Sequence, residues 1–192
     1  MIDDAWYLDV VGFAQHTPWL NAIGIAFTNY GLVLEGLAIL WLLWRARHRD
    51  DEGLARALWI PIAVGVAYVL DSGLKQIIAE PRPCRAIPNV LTILPCDAHT
   101  DYSFPSNHTV IAAAFAAALI LSSSRRWSIL AWVFAILMAA SRVYVGAHYP
   151  HDVVAGLLVG AVVGYSGVLL LGPLTSSVTA IRSRYSARQV NH

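Results

Sequence analysis

Apolar residues fall along this chain in long blocks, and the short breaks between the blocks carry most of the charge. The first block is the least regular. Between residues 5 and 28 the apolar positions are interrupted by Asp9, Gln15, His16 and Asn21, with Asn29 just beyond, and Thr17-Pro18 breaks the run. This pattern predicts two short amphipathic helices lying at a membrane interface, with Trp6, Tyr7 and Trp19 as aromatic anchors; a weak first transmembrane helix would look similar. From about Gly31 to Trp44 the run is strongly apolar and, extended back to Ile23, reaches the ~20 residues that cross a hydrocarbon core. It stops at Arg45-Ala46-Arg47-His48-Arg49. Further spans are expected at about 54–78, 106–122, 127–140 and 150–171, the last opening on Pro150, a residue suited to a first helical position. A hydrophilic loop with Pro81, Pro83, Pro88 and Pro95 separates the second span from the third, and a short polar tail follows Pro173.

The predicted fold class is therefore all-α: a polytopic membrane helix bundle of about five transmembrane helices plus N-terminal interfacial helices, six in all if the N-terminal segment spans. Residues 1–30 form the interfacial part, 31–172 the transmembrane domain with an outer loop at 80–103, and 173–192 a cytoplasmic tail. Composition points the same way, since 57% of the 192 residues are hydrophobic and 13% charged, whereas soluble domains carry about a quarter charged residues. A net charge of +1 gives no global field to attract nucleic acid.

The placement of the charges is more informative. Arg45, Arg47, Arg49, Arg56, Arg125, Arg126, Arg182, Arg184 and Arg188 all fall in connections or tails on one side, which the positive-inside rule makes cytoplasmic. Lys75, Arg82, Arg85 and Arg142 are left on the other side. The start Met1-Ile2-Asp3-Asp4 is acidic where a cleavable signal peptide would be basic, so the apolar segments are expected to insert by themselves. These features predict a multi-pass protein of a bacterial-type plasma membrane whose polar clusters face outside the cytoplasm.

Cys84 and Cys96 lie in the outer loop. Outside the cytoplasm thiols are oxidised, so a disulfide is the favoured reading, worth about 3 kcal/mol on the chain-entropy model. Two free thiols are the alternative; a metal site is disfavoured, because His99 and Asp97 alone complete a thin ligand set.

Three motifs share the outer face. Lys75, the single lysine of the chain, precedes Arg82-Pro83 by a six-residue gap; snorkelling to lipid headgroups is the competing explanation. Pro105-Ser106-Asn107-His108 opens an apolar helix, whose free N–H groups suit an anion, although Ser106 as a simple N-cap would explain the same residues. Ser141-Arg142 is followed by His148 and Asp152, where an arginine fork can grip an anion and a carboxylate can hold an imidazole in one tautomer. A charged cluster at membrane level costs about 2.5–3.5 kcal/mol per residue even on lenient scales, so it needs a function.

Read together as Lys-x6-Arg-Pro, Pro-Ser-x-His and Ser-Arg-x5-His-x3-Asp, the motifs resemble those of the type 2 phosphatidic acid phosphatase (PAP2) superfamily of integral membrane lipid phosphatases, over roughly residues 30–172. The resemblance implies His148 as a nucleophile forming a phosphohistidine, Asp152 orienting it, and His108 as general acid and base. It implies phosphate binding by Lys75, Arg82, Arg142, the Ser106 hydroxyl and the backbone N–H groups of Ser106 and Asn107, with no metal or other cofactor. Asp71, one turn before Lys75, is a candidate support for its ammonium. Asn107 stands where the commonest family pattern has glycine; members resembling undecaprenyl pyrophosphate phosphatases often carry a polar residue there, which leans toward a polyprenyl pyrophosphate substrate. Other lipid phosphates remain open: phosphatidylglycerol phosphate, phosphatidic acid, lipid A phosphate or a polyprenyl phosphoribose phosphate.

A non-catalytic lipid-binding or flipping protein is the alternative from another class, and the presence of every motif position speaks against it. Glu35 is expected to face the bundle or a headgroup cavity, His151 to face solvent, and His16, His48, His99 and His192 to be ordinary loop or tail residues. The oligomeric state is not legible.

Overall fold

The computed structural model describes residues 3–122 and 125–190, and among them every regular element is helical. Helix α1 (Asp4–His16) leads through Thr17 into α2 (Pro18–Ala46). The break falls at Thr17-Pro18, since proline suits the first turn of a new helix and cannot continue an old one. The second short interfacial helix does not exist as a separate element; residues 18–28 are the first turns of the 29-residue α2. Of the polar residues that suggested otherwise, Asn21 is satisfied by a neighbouring helix, as is the nearby Thr28. Asn21 accepts from the Tyr144 hydroxyl at 2.7 Å, and the Thr28 hydroxyl accepts from Arg142 at 2.9 Å.

Helix α3 (Asp51–Ile78) begins where the Asp50 carboxylate accepts from the Gly53 N–H at 3.0 Å, an N-cap of the usual kind. A single turn, α4 (Pro83–Ala86), lies within the outer loop. Then come α5 (Asn107–Leu119), α6 (Arg125–Tyr144), α7 (Pro150–Tyr165) and α8 (Gly167–Val190). The polar tail expected after Pro173 is helical instead. Its hydroxyls fold back onto the backbone, Thr175 to the Leu171 carbonyl at 2.8 Å and Ser177 to that of Pro173 at 3.0 Å. Thr179 and Arg182 then dock on Asp51 at 2.6 and 2.8 Å.

Four stretches, 18–46, 51–86, 125–144 and 150–185, are long and apolar enough to cross a membrane. The remaining expected span is α5, whose 13 residues extend about 20 Å, short of a ~30 Å hydrocarbon core. It serves as the axis of the bundle: between Thr109 and Leu119 all residues except Ile111 are buried, packed among α3, α6 and α7. Outward, Leu34, Leu37, Val69, Leu137, Leu158, Val162 and Leu169 are exposed. An apolar surface of that extent is suited to lipid and not to water, so the chain is a multi-pass membrane protein.

Close approach of α7 to α5 is made by a stripe of glycines. A Cβ at Gly160 would overlap the Val110 carbonyl oxygen and stand 2.7 Å from the Ala113 methyl, and one at Gly156 would lie 3.1 Å from the Ser106 carbonyl. Gly164 repeats the contact one turn on, against Ala114 and Ala117. Small residues four apart allow two backbones to touch in a membrane. Trp59 closes the far end of this seam, its indole N–H donating to the Gly164 carbonyl at 2.8 Å.

Candidate active site

The ends of α3, α5, α6 and α7 meet around the outer loop, and they bring Lys75, Arg82, Ser106, His108, Arg142, His148 and Asp152 to one end of the bundle. Lys75, Arg82, Ser106, Arg142, His148 and Asp152 are all buried there. A turn at Gly146, with φ +82°, directs the chain from α6 into the His148 loop; a side chain there would meet Thr92, so glycine is required on both counts.

His148 Nδ1 lies 3.3 Å from Asp152 Oδ2. The same oxygen accepts from the Ser103 hydroxyl at 2.5 Å and the Tyr149 N–H at 2.8 Å. A carboxylate held on three sides fixes the imidazole as the Nδ1–H tautomer and leaves Nε2 with a free lone pair. Nε2 points at Arg82 Nη1, 3.4 Å away. Burial, reinforced by Arg142, Arg82 and Lys75, holds the His148 imidazole well below the usual histidine range, so it is neutral at neutral pH.

Arg82 and Lys75 are anchored by loop carbonyls. Arg82 donates to Asp101 O at 3.0 Å and Ala147 O at 3.1 Å, and Lys75 to Tyr102 O at 2.5 Å. Arg142 reaches in from α6, with Nη1 on Thr28 and Nε lacking a partner among the described residues. His108 stands in the first turn of α5, where burial and the positive charges of Arg142, Arg82 and Lys75 hold its imidazole pKa down to about 3. Three cations, a neutral imidazole and a second histidine thus gather beside a helix N-terminus, a combination chemically suited to an oxyanion.

Several expectations are revised. The Ser106 N–H donates to the Asp152 carbonyl at 3.2 Å, so it does not point into an anion site; it ties α5 to α7 instead. The Ser106 hydroxyl accepts from Thr109 at 3.2 Å and makes no N-cap bond. Asn107 keeps its amide oxygen without a hydrogen bond among the described residues. Asp71 does not hold the Lys75 ammonium by a hydrogen bond: neither of its oxygens has a hydrogen-bond partner among the described residues, because the ammonium turns toward the loop carbonyls. Glu35 is buried in the bundle, as expected, and its carboxylate has no hydrogen-bond partner among the described residues.

His151 is no solvent residue. Its Nδ1 lies 3.0 Å from Asp3, and its Nε2 lies 3.0 Å from Glu80 and 3.4 Å from Asp152 Oδ1. Ligand atoms of Glu80, His151 and Asp152 lie within 4.8 Å of one another; an imidazole donating to both flanking acids satisfies that arrangement by itself. Ser103, Thr28 and Asp101 also reach the site without having been given a role, and Asp97, weighed only as a metal ligand, pairs with Arg82. Ser103 and Asp101 flank a quoted motif and were readable by proximity, whereas nothing in the sequence links Thr28 to Arg142 across 114 positions.

Cys84 and Cys96 form a disulfide with Cα atoms 5.9 Å apart. It closes the loop carrying Arg85, which donates to the Asp97 carbonyl. The loop then pairs with the His148 turn through Ile93 and Leu94, whose N–H groups donate to Val145 O at 3.2 and 3.1 Å. Helix α1 braces the other side, the Tyr7 hydroxyl donating to the Gly146 carbonyl at 2.9 Å.

Residues 56–175 match the model of the PAP2 superfamily. The chain is 31% identical over 157 residues to an undecaprenyl-diphosphatase of Sulfolobus acidocaldarius, covering 81% of this chain and 73% of that one. It is also 31% identical over 157 residues to undecaprenyl-diphosphatase BcrC of Bacillus subtilis, covering 80% and 76%. A lipid A 1-phosphatase of Rhizobium johnstonii is 34% identical over 155 residues, covering 76% and 61%. In fold it is similar to the crystal structure of Aquifex aeolicus LpxE, with a TM-score of 0.71 over 88% of this chain and 95% of that one at 24% identity.

Proposed function

The chain belongs to the PAP2 superfamily of phosphatases, and from that premise we propose that it removes the terminal phosphate of a polyprenyl pyrophosphate on the extracytoplasmic face of a bacterial-type plasma membrane. One observation carries the reading: the His148 Nε2 lone pair, oriented through Nδ1 by Asp152, opens onto the cations that would bind a phosphoryl group.

In the proposed reaction the negative charge of the bound phosphate offsets the cations that, second to burial, hold His108 down and lets it carry a proton; His148 Nε2 then attacks phosphorus while the bond to the lipid-side oxygen breaks, and His108 gives that oxygen its proton. A phosphohistidine results. His108 then takes a proton from water, the water oxygen attacks phosphorus, the P–N bond breaks and inorganic phosphate leaves. Lys75, Arg82 and Arg142 meet the charge spread over the equatorial oxygens, so the scheme calls for no metal. Acid–base help of this kind is worth about 10²–10⁴-fold. The Asn107 side chain and the first-turn N–H groups of α5 complete the cradle.

The substrate class rests on the departure at Asn107 together with the two undecaprenyl-diphosphatase relatives. A lipid A phosphate is the second reading, favoured by the lipid A 1-phosphatase relative. Phosphate release from a panel of lipid phosphates by the detergent-purified protein, run beside His148→Ala, tests both. Wild type is expected to prefer pyrophosphate lipids, and His148→Ala to release no phosphate while keeping the wild-type elution volume and thermal transition. A folded His148→Ala protein that still turns over would refute the mechanism; equal rates on monophosphate lipids would remove the substrate assignment.

A further inference from the structure

Arg82 and Lys75 carry two kinds of partner, backbone carbonyls from the outer loop and the His148 turn and carboxylates from the outer loop. Backbone carbonyls of Asp101, Tyr102, Ser103 and Ala147 hold Arg82 and Lys75 at 2.5–3.5 Å. Carboxylates take the faces that remain: Asp97 Oδ2 lies 2.8 Å from Arg82 Nη1, Asp101 Oδ2 lies 2.9 Å from Arg82 Nη2, and Asp101 Oδ1 lies 3.6 Å from Lys75 Nζ. The two sets differ in how easily they can leave. The carbonyls are part of a backbone pinned by the Cys84–Cys96 bond beside Asp97 and by the Ser103 N–H on the Glu80 carbonyl at 2.8 Å. The Asp97 and Asp101 side chains are 45% and 43% exposed, whereas that of Arg82 is 4% exposed, so the acids can swing into solvent while the cations stay.

A carboxylate and a phosphoryl group ask the same planar fork for the same two donors. We propose that Asp97 and Asp101 set the affinity of this site: they are displaceable carboxylates that every incoming phosphate must replace on Arg82 and Lys75. The inference rests on the proposed function in taking those cations as the phosphate site. Its consequence is selective. Tethered to the backbone beside the site, the acids compete at high effective concentration. They weaken inorganic phosphate, the product, while a lipid phosphate, itself confined to the membrane surface, still displaces them.

Because the carbonyls keep Arg82 and Lys75 in place, Asp97→Asn and Asp101→Asn remove the competitor without removing the positioning. Inorganic phosphate is the probe, read in two ways on the detergent-purified full chain: inhibition of lipid phosphate hydrolysis, and the rise in thermal transition as phosphate is added. The half-effective phosphate concentration is expected to fall about fivefold in Asp101→Asn and about tenfold or more in the double variant, the scale of partly screened ion pairs. If the acids only braced the cations, their loss would loosen Arg82 and phosphate would bind more weakly. An unchanged or raised concentration in the double variant, or no phosphate effect in any of the proteins, overturns the proposal. A wild type that hydrolyses no lipid phosphate but is stabilised by inorganic phosphate fails the proposed function alone and still reports on the acids.

Discussion

His148 is buried without charge in a pocket of cations, and acid should therefore work against the fold. Its imidazole is held well below the usual histidine range by burial and by Arg142, Arg82 and Lys75, while in the unfolded chain it would titrate near ~6.5. Below that pH the unfolded chain takes up a proton that the folded chain refuses, so stability falls as pH drops, by at most about 1.4 kcal/mol per pH unit for this one group. His148→Asn abolishes that proton uptake and should lose less of its thermal transition temperature between pH 7 and pH 5 than wild type. Parallel losses would show that the histidine does not sense the pocket. At this scale the motif residues were legible because their spacing is chemical: four positions separate His148 from Asp152, and they indeed touch. The supporting contacts of Thr28 and His151 were not: both are made between segments far apart in the chain, and residue type alone does not announce such meetings.

Among the elements, α5 departs furthest from its sequence. Apolar periodicity marked it as a span equal to the others, whereas it is a short rod enclosed by them. An all-round apolar helix is what a fully buried position and a lipid-exposed one both call for, so hydropathy cannot separate the two. The distinguishing signal lay in its partner, where Gly156, Gly160 and Gly164 repeat every fourth residue along α7. Gly160→Ala would drive a methyl into the Val110 carbonyl and should cost about 1–3 kcal/mol. Gly172→Ala, at a position with nothing within 4 Å of the new methyl, should be neutral or gain up to about 1 kcal/mol from helix propensity. Thermal transitions of the two variants in detergent test the seam, and equal values would remove it. Boundaries were read less well than existence: α2 absorbs a segment expected to be separate, and α8 extends through a tail expected to be irregular. In α2 an amide satisfied by α6, and in α8 hydroxyls bonded back to the helix's own carbonyls, hid the helical continuation.

For the molecule as a whole, the clustering of arginines at one end was the clearest message, and the structure agrees in bringing Arg182 onto Asp51 and the Arg47 and Arg49 carbonyls. If that end is cytoplasmic, the Cys84–Cys96 bond lies in an oxidising space. A membrane-impermeant maleimide added to intact cells should then label both cysteines after treatment with an impermeant reductant and neither before it; labelling that needs permeabilised cells would invert the orientation. One contact of α1 bears on how the protein is made. Tyr7 is 139 residues ahead of the Gly146 carbonyl it clamps, and at 5–20 residues per second the ribosome delivers the second about 7–30 seconds after the first. Throughout that interval the α6 and His148-turn partners of α1 are missing, while α2 is there for it to touch. Its outward Trp6, Leu8 and Phe13 give it the bilayer surface as a waiting place, so the turn that carries His148 is closed by a helix made well before the residues it braces.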